Sequence, residues 1–569
     1  MRRAALGLAG AVAIAAAAAS FAVSRAPLDG AGDRLIAELQ HATGLEVRVN
    51  GATAVELFPS PRVRVDGVSL ARPGEAPFAA ARGLVGRISL SALLLGRIEL
   101  AEVTFDQPQI ALDRAPFANV ATALRARTAA TPPAIRLADG RLEWRGRVVD
   151  KIEAGLALPR DGGPLALSGY GRFADRQVEG MIQLADVGAF ARRDSSPFRG
   201  RFEGGGARVL FDGEAVDDGA GVRLTGDVSF RADALSSTLR WFGFGPRLDR
   251  ALGAEVSFAG QGQLDGAGLQ ISNAELDLGG ETFLGAGRLT SGAGGLAVEA
   301  TLDAGSVDLG PYFDLVAPDA LADDGRWSVA SLNFGSLRGW TLDLRLSADA
   351  LRLGGLRLEQ PAVTAVVANG GLDLSIGEAS AYGGAVGGRL SLEPDGDGAV
   401  MRVEGAASDV ALGDALEAVF GRKPIAGRMT AEISLEGRGA SPVELAAALA
   451  GRIEARLADG ALERVSRSRT LALAGLTGEI AFSRAEARMT VANGVAKADP
   501  VTVEGPRASF ALAGEASLIE RTVALQGFVK PSEGGWTLPV RVEGPLFAPK
   551  LRPDLSGRAP RGEASKLER

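Results

Sequence analysis

The alternation of apolar and polar residues along most of the chain constrains its fold more than any other feature. In Arg62-Val63-Arg64-Val65-Asp66 an extended backbone sends the two valines to one face and the charged residues to the other. The same period of two returns where Trp340, Leu342, Leu344 and Leu346 stand against Thr341, Asp343, Arg345 and Ser347, and where Leu372, Leu374 and Ile376 stand against Asp373 and Ser375. Such segments recur to the C-terminus, broken about every 8 to 12 residues by Gly, Asn-Gly or Asp-Gly. Asp139-Gly140, Asn369-Gly370, Asp459-Gly460 and Asn493-Gly494 are therefore expected to be hairpin turns joining antiparallel strands. Short helices are expected at 33–41, 117–127, 235–244, 311–321, 410–420 and 443–450. Residues 136–143 are nearly repeated by 456–463, either as a hairpin unit used twice or as the ordinary product of strand-turn-strand chemistry in an Ala/Arg/Gly-rich chain.

The N-terminus supplies the compartment. Arg2 and Arg3 precede an uncharged, Ala-rich run over 4–23, about the length a helix needs to cross a bilayer, and the basic pair favours a cytoplasmic N-terminus. A cleaved secretory signal is the other reading, with Ser20 and Ala22 as small residues near a processing site. Both readings put the remaining chain outside the cytoplasm. The chain divides into an anchor or signal (1–26), an N-terminal module (27–128), a central strand array (129–425), a C-terminal region (426–555) and a polar tail (556–569) expected to be disordered. Residues 129–133 read as a linker.

Convergent chemistry is hard to assemble from these residues. The 569-residue chain has one histidine and no cysteine, which rules out thiolate metal sites, disulfides and Cys nucleophiles. His41 ends the first expected helix, where it suits the helix dipole better than it suits catalysis. Asp217-Asp218 and Asp323-Asp324 lie beside glycine and read as solvated turns. Gly204-Gly205-Gly206 and Gly260-Gln261-Gly262 lack the Lys-Ser/Thr of a phosphate loop and read as turns or bulges. At a net charge of -7, with Lys and Arg dispersed, nucleic acid is an improbable partner. No catalytic residue, cofactor or metal site is expected, and an envelope hydrolase ranks last among the function classes.

The pattern itself remains. Its dry face is mainly Leu, Val, Ile and Ala, with three Tyr and five Trp in the whole chain, and such a face must be covered. A second sheet would make sandwiches; a curved sheet would make a groove for lipid tails. Leu342, Leu344, Leu346, Leu372, Leu374 and Ile376 sample that face, as groove lining or as sandwich core.

Several short motifs in order resemble the AsmA family. After the apolar run come Thr43-Gly44-Leu45-Glu46-Val47, Gly51, Leu57-Phe58-Pro59-Ser60-Pro61 and Val63, then Leu93-Leu94-Leu95-Gly96-Arg97-Ile98 and Phe105-Asp106-Gln107-Pro108-Gln109-Ile110. Near the other end, Ala426-Gly427-Arg428-Met429, Gly437, Gly451 and Leu538-Pro539-Val540-Arg541-Val542-Glu543-Gly544-Pro545 resemble the family's C-terminal region. The resemblance implies a mainly β protein: a transmembrane helix, then an elongated, curved, groove-like antiparallel sheet with a few short helices. It also implies anchorage in the inner membrane, a periplasmic body, and a role in outer-membrane biogenesis and lipid homeostasis through bound or transferred phospholipid. A rival function is regulation of outer-membrane protein assembly or targeting through envelope protein partners, without lipid passage. The length of the 4–23 run favours the uncleaved anchor, so intact-mass measurement of the protein from membranes should find that segment still attached; its loss would identify a signal peptide.

Overall fold

The computed structural model describes residues 45–111, 133–241, 255–310, 326–462 and 478–554, with Asp33, Ile36, Ala37 and Gln40. Within these spans 57–59, 72–73, 95–98, 145, 158–162, 220, 293–294, 333, 335–336, 534 and 547–548 are excepted. The apolar run over 4–23, His41, the expected helices at 117–127 and 311–321, Asp323-Asp324, the 129–132 part of the linker and the tail lie outside the described residues. Among those described, no helix is long and apolar enough to cross a membrane. The protein is mainly β, its strands pair mostly antiparallel, and its helices are short.

Two compact units divide the chain. The first comprises Met1–Phe242 and Glu255–Ser272. It opens with β1 (Glu46–Val49), β2 (Thr53–Glu56), β3 (Arg62–Ala71), β4 (Ala79–Ile88), a helical turn α1 (Leu90–Leu94), β5 (Leu100–Asp106) and β6 (Gln109–Ala111). Strands β1 and β2 both pair with β3, and β4 joins β3 to β5 and β6. The valines that alternate along β3 point inward, so Val63 and Val65 are buried with Leu84, Val103 and Phe105.

A meander follows through β7 (Ala134–Trp144), β8 (Arg147–Ala157), β9 (Leu165–Phe173) and β10 (Arg176–Leu184), with β7 parallel to β5 and β6. After α2 (Val187–Ala191) come β11 (Ser196–Gly204), β12 (Ala207–Asp217) and β13 (Val222–Ala232), then α3 (Leu235–Trp241) and β14 (Val256–Asp265). Each strand from β7 to β14 pairs antiparallel with the next. Asp186 starts α2 by accepting the Ala189 backbone N–H at 2.8 Å, which fixes Val187 and Phe190 against Leu184 and Ala215.

The second unit comprises Gly243–Ala254 and Asn273–Arg569, the division falling within β15 (Gly268–Leu278). It contains β16 (Glu281–Gly292), β17 (Gly295–Asp308), β18 (Trp340–Leu353), β19 (Leu356–Glu359), β20 (Ala362–Ala368), β21 (Gly371–Ala381), β22 (Gly384–Asp395) and β23 (Gly398–Ala411). Helix α4 (Leu412–Phe420) leads to β24 (Ile425–Gly439), and α5 (Pro442–Ala448) to β25 (Ala450–Leu462). The unit ends with β26 (Ile480–Ala492), β27 (Val495–Glu504), β28 (Ala508–Ser517), β29 (Thr522–Pro531), β30 (Leu538–Pro545) and β31 (Lys550–Pro553).

Among the described strands of this unit the pairing is antiparallel except between β17 and β18, which are parallel and require the long crossover between Asp308 and Trp340. Ser441 and Glu444 close α5 reciprocally, Ser441 Oγ accepting the Glu444 N–H and Glu444 Oε2 accepting the Ala440 N–H at 2.8 Å.

Helices α3, α4 and α5 form where expected, and Asn369-Gly370 and Asn493-Gly494 are turns with positive φ at both residues. Asp139-Gly140 and Asp459-Gly460 are not turns. Both lie inside long strands as bulges, with φ of 50° at Asp139 and 48° at Asp459 and register shifts beside them in the β7–β8 and β24–β25 pairs. A short polar Asp tolerates this left-handed conformation, and strands on both sides hold the extended course. The near-repeat at 136–143 and 456–463 is therefore a bulged strand, not a hairpin. Gly260 and Gly262 sit in unbroken register with Val228 and Gly226, so they belong to a strand interior, whereas Gly205 and Gly206 do form a turn. Asp217 and Asp218 lie at the β12–β13 turn, accepting from the N–H groups of Gly219 and Gly221, but Asp217 is buried instead of solvated.

In the second unit several glycines lie against the backbone of a neighbouring strand. A Cβ at Gly285, Gly451 or Gly527 would lie 2.0, 2.0 or 1.9 Å from a carbonyl oxygen of the adjacent strand, and each of these glycines faces a leucine or valine across the pair. On the opposite face a Cβ at Gly305 would meet nothing within 4 Å. Gly527→Ala should therefore destabilise by about 1–3 kcal/mol through overpacking, while Gly305→Ala should change stability by less than about 1 kcal/mol, in the stabilising direction; urea unfolding midpoints measure both.

Candidate apolar groove

Register builds the site. Leu342 of β18 stands between Val298 of β17 and Val367 of β20, Leu344 between Ala300 and Ala365, and Leu346 between Leu302 and Val363. Strand β20 passes these three rows to β21, where Val367, Ala365 and Val363 face Leu372, Leu374 and Ile376. All six residues singled out in the sequence thus share one face, although β18 and β21 are not neighbours. The rows continue through Leu392 and Leu390 of β22, Met401 and Val403 of β23, and Leu435 and Ile433 of β24.

The six are not equivalent. Near one end of the strands Phe334 and Leu337 pack on Val367, Leu392 and Ala399, and Leu342 and Leu372 lean on that cluster. Near the other end Leu351, Leu358, Ala379 and Ala381 form a buried cluster that also holds Leu346, with Leu374 and Ile376 against it. Leu344 belongs to neither cluster and is half-buried. Farther along the face Ile433 is 37% exposed, well above the 6% of Leu346. The cross-section is an apolar floor with a wall on each side and a part-buried row, headed by Leu344, between them.

The reverse face is wet. Asp343, Arg345 and Ser347 are exposed, Arg389 donates to Asp373 through two nitrogens, and Arg402 pairs with Glu393 and Glu436 at 2.8 and 3.4 Å. The hydrogen-bonded Asp373 carboxylate raises Arg389 above its ordinary pKa, so this guanidinium stays charged.

Two groups of residues escaped the sequence reading. Gly388 and Gly405 face each other in the Ile376 row, and Gly451 continues the Leu435 row. Their signal was parity, since Gly388 is two residues from Leu390, Gly405 two from Val403 and Gly451 two from Ile453. The wall residues Trp327, Phe334 and Leu337 lie in the crossover, where period two is absent and no local pattern marks them.

The sequence profile of the AsmA family matches residues 317–501, a span that takes in part of the crossover, the six candidate residues and the strands from β18 into β27. This reaches the motifs at 426–451 but covers neither those at 43–110 nor those at 538–545, and it includes the central region where no motif had stood out. A comparison with curated proteins finds no match. Over residues 317–501 the chain is thus similar to the AsmA family.

Proposed function

We propose that the protein is a non-catalytic phospholipid-binding or phospholipid-transfer scaffold of the bacterial cell envelope, anchored in the inner membrane with its bulk in the periplasm. In this reading the sheet curves around its apolar face to make an elongated groove. The observation that carries it is the in-register apolar floor, walled at both strand ends with the Leu344 row between them only part-buried.

The dimensions suit lipid tails. From Leu342 to Leu346 the floor is about 14 Å wide at ~3.4 Å per residue, and the seven strands β17, β18 and β20–β24 span about 29 Å at ~4.8 Å each. One leaflet of a ~30 Å hydrocarbon core is about 15 Å deep, so a tail lying across the strands fits within this stretch. Each methylene kept from water contributes roughly 0.8 kcal/mol, and a continuous apolar track lowers the barrier to moving a tail past water. A closed sandwich is disfavoured by the part-buried middle row and by Ile433, 37% exposed, which a second sheet would have buried. Similarity to the AsmA family is consistent with an envelope role related to lipid.

The test places a photo-crosslinking amino acid at position 344, or at 345 on the reverse face, in the full chain expressed in bacteria with labelled phosphate. Labelled phospholipid should attach at 344 and not at 345, and Leu374→Asp, a charge set beside that row, should cut the yield at 344 by about tenfold or more. Equal labelling at the two positions, or none at 344, would sink the reading.

A further inference from the structure

The first unit has an apolar face of its own. Phe202 of β11 faces Val209 of β12, Val209 faces Phe230 of β13, and Phe230 faces Phe258 of β14, so three aromatic rings and a valine cross four strands in one row. Phe198 and Phe211 share its parity, and their rings meet edge to face with centroids 5.8 Å apart. Phe202 is 49% exposed and Val209 37%, while Phe230 and Phe258 are half-buried. A contiguous apolar surface of this kind marks a binding site, where scattered exposed residues would not.

Helices stand at both strand ends of this face. At one end Val187 and Phe190 of α2 pack with Leu184 and Ala215, and Phe198 and Leu224 lean on that cluster. At the other, Trp241 of α3 meets Phe173 edge to face at 5.1 Å and donates its Nε1 hydrogen to the Phe173 carbonyl at 3.0 Å. The tip of the β11–β12 hairpin lies against the indole, where a Cβ at Gly205 would strike the ring. Arg176, paired across β9 and β10 with Phe173, reaches the same tip and donates to the Gly205 carbonyl at 3.4 Å. Its guanidinium forms no ion pair among the described residues, so N–H donors remain on it for a ligand. Asp175 and Asp233 also lie at these strand ends, so what this end offers is one guanidinium beside an aromatic rim, not a general basic patch.

Taking the lipid-binding reading into the first unit, we propose that this end is a headgroup site: Arg176 holds the phosphate of a phospholipid, the Trp241 rim lies at the level of its glycerol, and one tail runs across the strands along the Phe202 row. Charge and apolarity stand in the order an anionic amphiphile requires. Gly205, where the guanidinium is held, is three residues beyond Phe202, about 10 Å at ~3.4 Å per residue, a gap for glycerol and the first methylenes. The row from β11 to β14 spans about 14 Å at ~4.8 Å per strand, close to the ~15 Å depth of one leaflet. A guanidinium presents paired N–H donors that match phosphate oxygens, and the indole, with its one polar atom already used on Phe173, suits the boundary between headgroup and tail. The site would thus fix which way round a lipid lies on the first unit.

The test uses the full chain in bacteria grown with labelled phosphate, with a photo-crosslinking amino acid at 202 or, in a separate sample, at 344. Position 202 should capture labelled phospholipid, and mild alkali should free the label, because ester cleavage leaves the tail on the protein and releases glycerophosphate. Arg176→Glu should lower the yield at 202 by about tenfold and leave that at 344 unchanged, and Arg176→Lys, which keeps the charge, should lose far less. No fall at 202 with Arg176→Glu, or an equal fall at 344, overturns the headgroup site. So does label at 202 that resists alkali, as free phosphate or a headgroup at that position would give, or a captured protein in place of lipid. Labelling at 202 that depends on Arg176 while 344 stays unlabelled would keep this site and sink the reading of the second unit; no lipid at either position would sink both.

Discussion

Everything in the second unit depends on strand register. Because side chains alternate with a period of two, a strand that slipped by one residue would turn its apolar set to the opposite face. From β17 through β24 this does not happen along the three rows headed by Leu342, Leu344 and Leu346. Register shifts do occur, between Ile376 and Ala379 and between Ala407 and Val410, but both lie beyond those rows. The irregularities are absorbed at one rim while the floor stays in phase.

The floor's energetics explain why the walls exist. An apolar sheet face left in water forfeits roughly 25 cal/mol for each Å² that burial would have removed, so the chain covers what it can. Phe334 and Leu337 cover one side, and the β18–β19 turn region with Leu351 and Leu358 covers the other. Glycines of the same parity as the leucines let neighbouring backbones approach on that face; a side chain at Gly527 or Gly451 would strike the next strand's carbonyl. The reverse face needs no cover, because Arg389 with Asp373 and Arg402 with Glu393 and Glu436 keep it solvated. Such exposed pairs add little stability, and their value here is to hold one side of a long sheet polar.

Local chemistry was a reliable guide wherever it acts through the backbone of a few residues. Asn369-Gly370 and Asn493-Gly494 make the turns that their positive-φ preference demands, and Ser441, Pro442 and Glu444 start α5 as a capping pattern should. It misled where the same dipeptide serves two ends: Asp139-Gly140 and Asp459-Gly460 carry the chemistry of a turn but sit mid-strand, because neighbours on both sides keep the backbone extended and take up the extra residue as a bulge. The six candidate residues were read as one apolar face from parity, but that β20 lies between β18 and β21 and carries the rows across was not legible.

The sequence by itself determined the strand-rich fold class and the parity of each apolar set, because periodicity is a local property. Tertiary structure alone decided that β17 pairs parallel with β18, that Phe334 and Leu337 of the intervening crossover pack on the floor, and that Leu344 is half-buried while Leu346 is buried. Those outcomes depend on which segments meet across distances such as the 191 residues separating Trp327 from Leu518. A period of two states which side of a strand is dry; only the packing of distant chain states what keeps it dry.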